Sequence, residues 1–299
     1  MLGWGLEAVG PPGPAAFTGT LSLLPPRSSS SSSSSSSPFV NGRRRDGRLP
    51  EEVRPMHLQT LSLGSASGSA FVSVGNTKVY CAIFGPRSAG RSDLQDRGFI
   101  KVDYRGSPFF QRSSADGGET QEQLLLLLHQ ALDSCVLLER YPKSVLEVSF
   151  MFLEEDGGAL AAALTCAGLA LADAGVECHD IITGASAFAF TYKDSSGTPH
   201  QAVCLDLDAS EYAVYRHFAD FTAIHVGFCP ALNSICCLHC RGPLIAGPSG
   251  EQLFSLCEAA CGEIGREVRT CLKRAFAAKA PGGPPDFCSP KRPANEEPH

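Results

Sequence analysis

The chain has 299 residues, 43% of them hydrophobic and 19% charged, enough for one large domain or two small ones around a sizeable core. Its net charge of −6 and pI of about 5.8 exclude a wholesale basic nucleic-acid binder, so any contact with RNA must be local. No uninterrupted apolar stretch has the length and flanks of a membrane span, and the 13 cysteines, odd in number and scattered through apolar segments, read as reduced thiols filling a core.

Residues 1–42 are predicted to be a disordered extension, because their Pro and Gly residues and the unbroken run from Ser28 to Ser37 cannot bury a core. Few acids and much serine also resemble an organellar transit peptide, which stays open as an alternative; a basic region followed by an apolar one, the mark of a secretory signal, is missing. Arg43 to Pro55 reads as a charged, solvated arm. Strands are predicted at His57–Leu63, Ser69–Val74, Thr77–Phe84 and Gly98–Tyr104, an antiparallel meander with a polar loop from Ser88 to Arg97. Glu119 to Arg140 carries Leu124, Leu128, Ala131, Leu132 and Cys135 at helical spacing, and Tyr141-Pro142 ends it.

The centre of the chain is a strand from Val145 to Leu153 followed by an Ala- and Leu-rich helix. Asp156 stands where an N-cap is expected and Gly175 where a helix stops. That helix is apolar nearly all round, so it belongs between other elements. Strands follow at His179–Tyr192 and His200–Leu207, joined by a turn from Lys193 to Pro199, and then at Ala219–Cys229 and Ser234–Cys240. A long helix from about Gly250 to Ala278 closes the domain, and a Pro-rich tail at 280–299 is predicted to be disordered. The result is one α+β domain of mixed sheet layers packed with helices, residues 43–279.

Chemistry-bearing residues are sparse. Gly157 and Gly158 bare the first turn of the central helix, a geometry that often receives a phosphate. Cys229, Cys236, Cys237, His239 and Cys240 invite a zinc reading, but on a strand Cys237 and His239 face one way and Cys236 and Cys240 the other, so buried thiols are the better account and no metal is expected. No nucleophile–base arrangement and no dinucleotide or Walker loop is present, so no cofactor is expected. Between Arg87 and Arg112, six basic residues stand against three acidic ones, with Tyr104, Phe109 and Phe110 interleaved. Such a segment can hold single-stranded nucleic acid by phosphate contact and base stacking, and an ordinary solvated loop accounts for it equally well.

Several short motifs, in order and at consistent spacing, carry a family resemblance over roughly Arg45 to Ala278. They are Arg45-Asp-Gly-Arg48 with Arg54-Pro55, Gly68-Ser-Ala-Phe71, Asn76-Thr-Lys-Val-Tyr-Cys-Ala-Ile-Phe-Gly-Pro-Arg87, Asp103-Tyr-Arg-Gly-Ser-Pro-Phe109, Tyr141-Pro-Lys-Ser144, Asp156-Gly-Gly158 and Ala170-Leu-Ala-Asp-Ala-Gly175. The chain resembles the ribonuclease PH family, and within it the ring-forming subunits of the eukaryotic RNA exosome. The resemblance implies a ribonuclease PH-like fold (ribosomal protein S5 domain 2-like). It also implies other PH-like ring subunits and cap subunits as partners, single-stranded RNA threaded through a central pore, no membrane, and a place in nucleus, nucleolus and cytoplasm.

Active family members hold inorganic phosphate with a Ser/Thr-Arg pair after the Gly-Gly, and place two spaced aspartates near the scissile bond and a magnesium ion. The matching positions here are Ala159 and Leu160, then Asp206 and Tyr212, so the phosphate cation and the second carboxylate are missing. The resemblance therefore implies a scaffold without its own chemistry, with an active phosphate-dependent 3'-to-5' exoribonuclease as the alternative. It further implies that pore-facing loops place Arg105 and Arg112, and secondarily Arg91 and Arg97, near RNA.

Overall fold

Residues 17–19, 38–39, 42–61, 63–88, 96–107, 121–193, 198–243 and 248–279 are described by the structure, a computed structural model. Alternation of buried and more exposed side chains along β4 and β6, and less regularly along their neighbours, builds the first layer. Its strands are β1 (Phe17–Gly19), β2 (Met56–Leu61), β3 (Gly68–Val74), β4 (Thr77–Ser88), β5 (Phe99–Gly106) and β6 (Ser144–Glu154), in the order β1-β2-β3-β4-β6-β5. Leu58, Val72, Val79, Cys81, Ile83, Val148 and Phe150 point to one side and are buried. The second sheet holds β7 (Thr183–Lys193), β8 (Pro199–Leu205), β9 (Ala219–Cys229) and β10 (Ser234–Arg241), in the order β10-β9-β7-β8.

Among the described residues, four α-helices accompany the sheets: α1 (Gln121–Cys135), α2 (Ala159–Ala174), α3 (Ala209–Tyr215) and α4 (Pro248–Lys279). The apolar circumference of α2 is explained by its place between the layers, against β3 and β4 on one side and β7 on the other. Contact with β7 is made backbone to backbone. A methyl group added at Gly184 would lie 2.6 Å from both Cα and O of Ala161, atoms that cannot swing away. Gly184→Ala is therefore expected to destabilise the fold by about 1–3 kcal/mol through overpacking, read as a lower midpoint in urea at unchanged slope. An unchanged midpoint would mean that α2 is free to shift.

Three expectations are corrected. β5 does not continue a meander: it crosses over and pairs in parallel with β6, Val102 against Val148, so β6 is inserted between β4 and β5. The helix expected from Glu119 to Arg140 is broken, because Val136 leaves α1 to bridge Cys178 and the chain resumes as a short 3-10 turn at Leu138–Arg140. The N-cap of α2 is Gly158 in the left-handed region (φ 67°), not Asp156, whose carboxylate accepts hydrogen bonds from Asn76 and the Ala209 N–H instead. Upstream of Arg43, where the extension is expected, the structure describes Phe17–Gly19 and residues 38–39. Phe17–Gly19 pair with β2, the Pro38 carbonyl accepts from the Tyr215 hydroxyl at 3.4 Å, and the Phe39 ring meets Tyr192 edge-on at 5.8 Å. A strand edge accepts any backbone, and two residues beside the serine tract find an aromatic cluster. The serine tract itself and the tail at 280–299 lie outside the described residues.

Candidate functional site

The site begins where β8 ends. Asp206 takes a left-handed backbone conformation (φ 49°), which aspartate tolerates better than most residues, and its N–H is held by the Ser186 carbonyl at 2.9 Å. Its carboxylate is buried and fully engaged by Arg54, accepting from the backbone N–H at 3.0 Å, from Nε at 2.9 Å and from Nη2 at 2.6 Å. Arg54 also donates to the Gly157 carbonyl at 2.9 Å and to the Asp156 carbonyl. The pair thus ties the arm before β2 to the turn before α2.

Two further arginines close on the same point from outside. Arg44 and Arg48 donate to the Asp206 carbonyl at 3.3 and 3.1 Å, and both face Glu211 of α3, at 3.6 and 3.4 Å. Arg44 is fully enclosed and also donates to the carbonyls of Pro50 and Leu205. α3 is fixed by a capping box in which Asp208 accepts from the Glu211 N–H at 2.6 Å and Glu211 accepts in return from the Asp208 N–H. The Arg43–Pro55 arm, expected to be a solvated linker, is therefore a structural clasp. Its arginines escaped residue-by-residue reading, although the Arg45-Asp-Gly-Arg48 motif was the visible signal.

Electrostatics follow from this geometry. Burial pushes the Asp206 carboxyl up, but the Arg54 charge and its three hydrogen bonds outweigh that and hold it below the ordinary carboxylate range. Burial lowers Arg54, and the Asp206 carboxylate more than restores it. Glu211 goes the other way: burial raises it and the two arginines do not fully compensate.

The clasp lies beside the N-cap of α2. A Cβ at Gly158 would stand 3.0 Å from Arg54 Nη2 and 3.1 Å from Asp206 Oδ1, so an internal carboxylate and its counter-ion lie over the start of α2. The space left is a cavity of about 20 Å³ beside Gly158, Ser186 and Asp206, room for one water.

The four positions matched to active relatives are brought together only in part. Ala159 opens α2 and Leu160, 1% exposed, turns into the main core, so that position presents no group to the site. Asp206 is present but consumed. Tyr212 packs edge-on against Phe188 at 6.0 Å and Phe221 at 5.4 Å, within an aromatic cluster.

Of the arginines singled out for RNA, Arg105 is exposed on β5, and Arg97 is exposed just before it, ion-paired with Asp133. Arg91 and Arg112 lie outside the described residues. The cysteine-rich strand diverges: Cys236 sits at a bulge, its carbonyl accepting from the Ser134 hydroxyl at 3.4 Å, Cys237 is buried and Cys240 exposed.

A family model described as "3' exoribonuclease family, domain 1" matches residues 52–177. The mouse exosome complex component MTR3 is 34% identical over 260 residues, covering 80% of this chain and 89% of that protein. The human exosome complex component MTR3 is 43% identical over 152 residues, 46% of this chain and 56% of that protein. The exosome complex component Rrp41 of Pyrobaculum islandicum is 37% identical over 178 residues, 58% of this chain and 69% of that protein. Among solved structures, rice (Oryza sativa) Rrp46 superposes with a TM-score of 0.63 at 22% identity, covering 77% of this chain and 100% of that chain, a likeness of fold.

Proposed function

The chain belongs to the ribonuclease PH family of 3' exoribonucleases, and we propose that it serves there as a non-catalytic subunit of an RNA exosome core ring, of the MTR3 type. Its work is to complete the ring and help pass single-stranded RNA, so that it acts in 3'-to-5' RNA processing and turnover through its neighbours' or associated enzymes' chemistry. The partners are other PH-type subunits and cap subunits, and the setting is nuclear, nucleolar and cytoplasmic. Arg105, Arg97, Arg91 and Arg112 are the proposed RNA contacts.

One observation carries the non-catalytic reading. The carboxylate that would serve chemistry is spent on Arg54, while the position that would hold phosphate is a leucine 1% exposed in the core. Ring membership is supported by the exosome components among the relatives and by a fold covering the full length of Rrp46.

The test is assembly. Co-expressed with the PH-type exosome subunits of the same organism, the chain is expected to co-purify in one ring-sized species at fixed stoichiometry. A monodisperse monomer with no affinity for any of them refutes the reading.

A further inference from the structure

The helices that cover the six-stranded sheet pack on its inner side, through residues such as Leu58, Val72, Val79 and Phe150. Among the described residues, no element crosses its outer side. The strand register places one row of side chains straight across that outer face: Gln59 opposite Phe71, Phe71 opposite Tyr80, Tyr80 opposite Met151, and Met151 opposite Arg105. Phe71 and Tyr80 lie ring against ring at 4.6 Å, with the His57 ring at 6.1 Å on the other side of Phe71. Both are partly exposed, Met151 is 43% exposed, and Arg105 is exposed at the end of the row. Local sequence does not announce this row, because its members come from five strands and from both sides of the crossover.

We propose that this row is a binding platform for single-stranded RNA, in which bases lie on Tyr80 and Met151 and a phosphate meets Arg105. The proposal rests on the ring reading for its ligand and adds residues that the reading does not contain.

Charge selects RNA over an apolar protein surface. Among the described residues, the acids flanking the row are already matched: Glu154 by Lys78 at 2.7 Å, Glu147 by Lys101 at 3.5 Å and Arg87 at 3.6 Å, and Asp103 by Lys101 at 4.0 Å. Arg105 has no such acid among the described residues, so within them the row ends in a cation that no carboxylate matches. A π-surface ending in a cation on an open sheet is the arrangement that accepts stacked bases and a backbone phosphate with little sequence preference. It explains why Met151 and two aromatic rings are left on a face that could have been polar at no cost to the core.

The experiment uses the full chain and a short fluorescent uridylate oligomer, alone and after assembly with PH-type subunits. Tyr80→Leu, which keeps apolar bulk and removes the ring, is expected to weaken binding to the isolated chain roughly 5- to 100-fold. Tyr80→Phe is expected to bind like wild type. Arg105→Glu weakens binding and flattens its salt dependence. In the assembled species, ultraviolet crosslinking is expected to map uridine to the peptide holding Tyr80. Unchanged affinity in Tyr80→Leu, or no binding by the wild-type chain in either form, overturns the platform. Loss of co-purifying subunits in Tyr80→Leu and Met151→Ala with RNA binding intact also overturns it and makes this face a protein interface. Co-purification of wild type in the same preparations reports on ring membership separately, so the two ideas fail independently.

Discussion

Arg54→Met lowers the unfolding free energy of the chain by about 3–5 kcal/mol, the cost of stranding one member of a buried ion pair. Arg54 supplies both side-chain donors that reach the Asp206 carboxylate, and both side chains are nearly closed to solvent, at 6% and 8%. Without it, a left-handed residue at the end of β8 keeps a buried charge held, among the described residues, by the residue-54 N–H and faced by Arg48 and Arg44, which bond its carbonyl. The carbonyls of Asp156 and Gly157 lose a donor too, so the turn before α2 loosens with the site. Replacing both partners, Arg54→Met with Asp206→Asn, which tolerates the same left-handed backbone, is expected to regain part of the loss, because no charge is then left stranded. Denaturant unfolding of the three chains checks this. A single variant within about 1 kcal/mol of wild type means that solvent reaches Asp206.

The pH dependence has a definite sign. In the wild type, Asp206 is held below its ordinary value of 3.8, so its contribution is fully present above that pH and is lost as pH falls through the lower folded value. In Arg54→Met, burial acts with less opposition and raises the carboxyl, so the deficit is largest near neutrality and shrinks on acidification as the acid takes up a proton. Glu211 contributes oppositely. Its folded value is raised above 4.5, so what it adds is present below that pH and fades as pH rises through the folded value. Wild-type stability on the acid side is thus a contest between two carboxylates of one cluster, and Arg54→Met removes the stabilising member of it.

How much of this was legible without coordinates follows from the range of each interaction. The elements set by local period, β2 to β4, β6, α2 and β7 to β10, lie within a few residues of where alternation and helical spacing put them. β7 starts later than His179, because His179 and Cys178 are taken up by bridges to the end of α1. The parallel crossover of β5 was hidden, since its partner β6 is set by packing more than forty residues along the chain and not by its own pattern. α3 was legible and missed: Asp208 and Glu211 form a capping signature three residues apart, but the helix has only 7 residues and little periodicity. The clasp was half legible. Its motif marked the family, whereas the roles of Arg44, Arg48 and Arg54 depend on carbonyls and a carboxylate more than a hundred and fifty residues away. The face carrying Phe71, Tyr80, Met151 and Arg105 was not legible at all, because only the register of four strands aligns them.

Phosphorolysis by this chain is expected to be absent, and the defect is deeper than two substitutions. The reaction brings inorganic phosphate against an RNA phosphodiester, so two anions must be held together by fixed positive charge. The N-terminus of α2 offers only about half a charge, and the arginine beside its N-cap, Arg54, is already neutralised by Asp206. Loss of one fixed electrostatic donor costs roughly 10²–10³ in kcat where it has been measured in other enzymes. In the reading proposed above, the positions of the cation and of a carboxylate suited to magnesium hold Leu160 and the neutral phenol of Tyr212. Restoring them does not restore the site. Leu160→Arg pushes a guanidinium into a position 1% exposed, among the apolar side chains of the main core, so the expected outcome is a destabilised chain with no gain of activity. Tyr212→Asp takes a ring out of the Phe188–Phe221 cluster and leaves Asp206 still bound to Arg54. Two measurements check this. Titration of inorganic phosphate into the full wild-type chain is expected to give no saturable binding. Incubation of the assembled complex with single-stranded RNA, magnesium and phosphate is expected to release the same amount of nucleoside diphosphate whether this subunit is wild type or Asp206→Asn, with thermal unfolding confirming that the variant is folded. Phosphate binding by the lone chain, or diphosphate release that a folded Asp206→Asn subunit abolishes, would mean that the clasp opens in the complex and that this subunit is an enzyme.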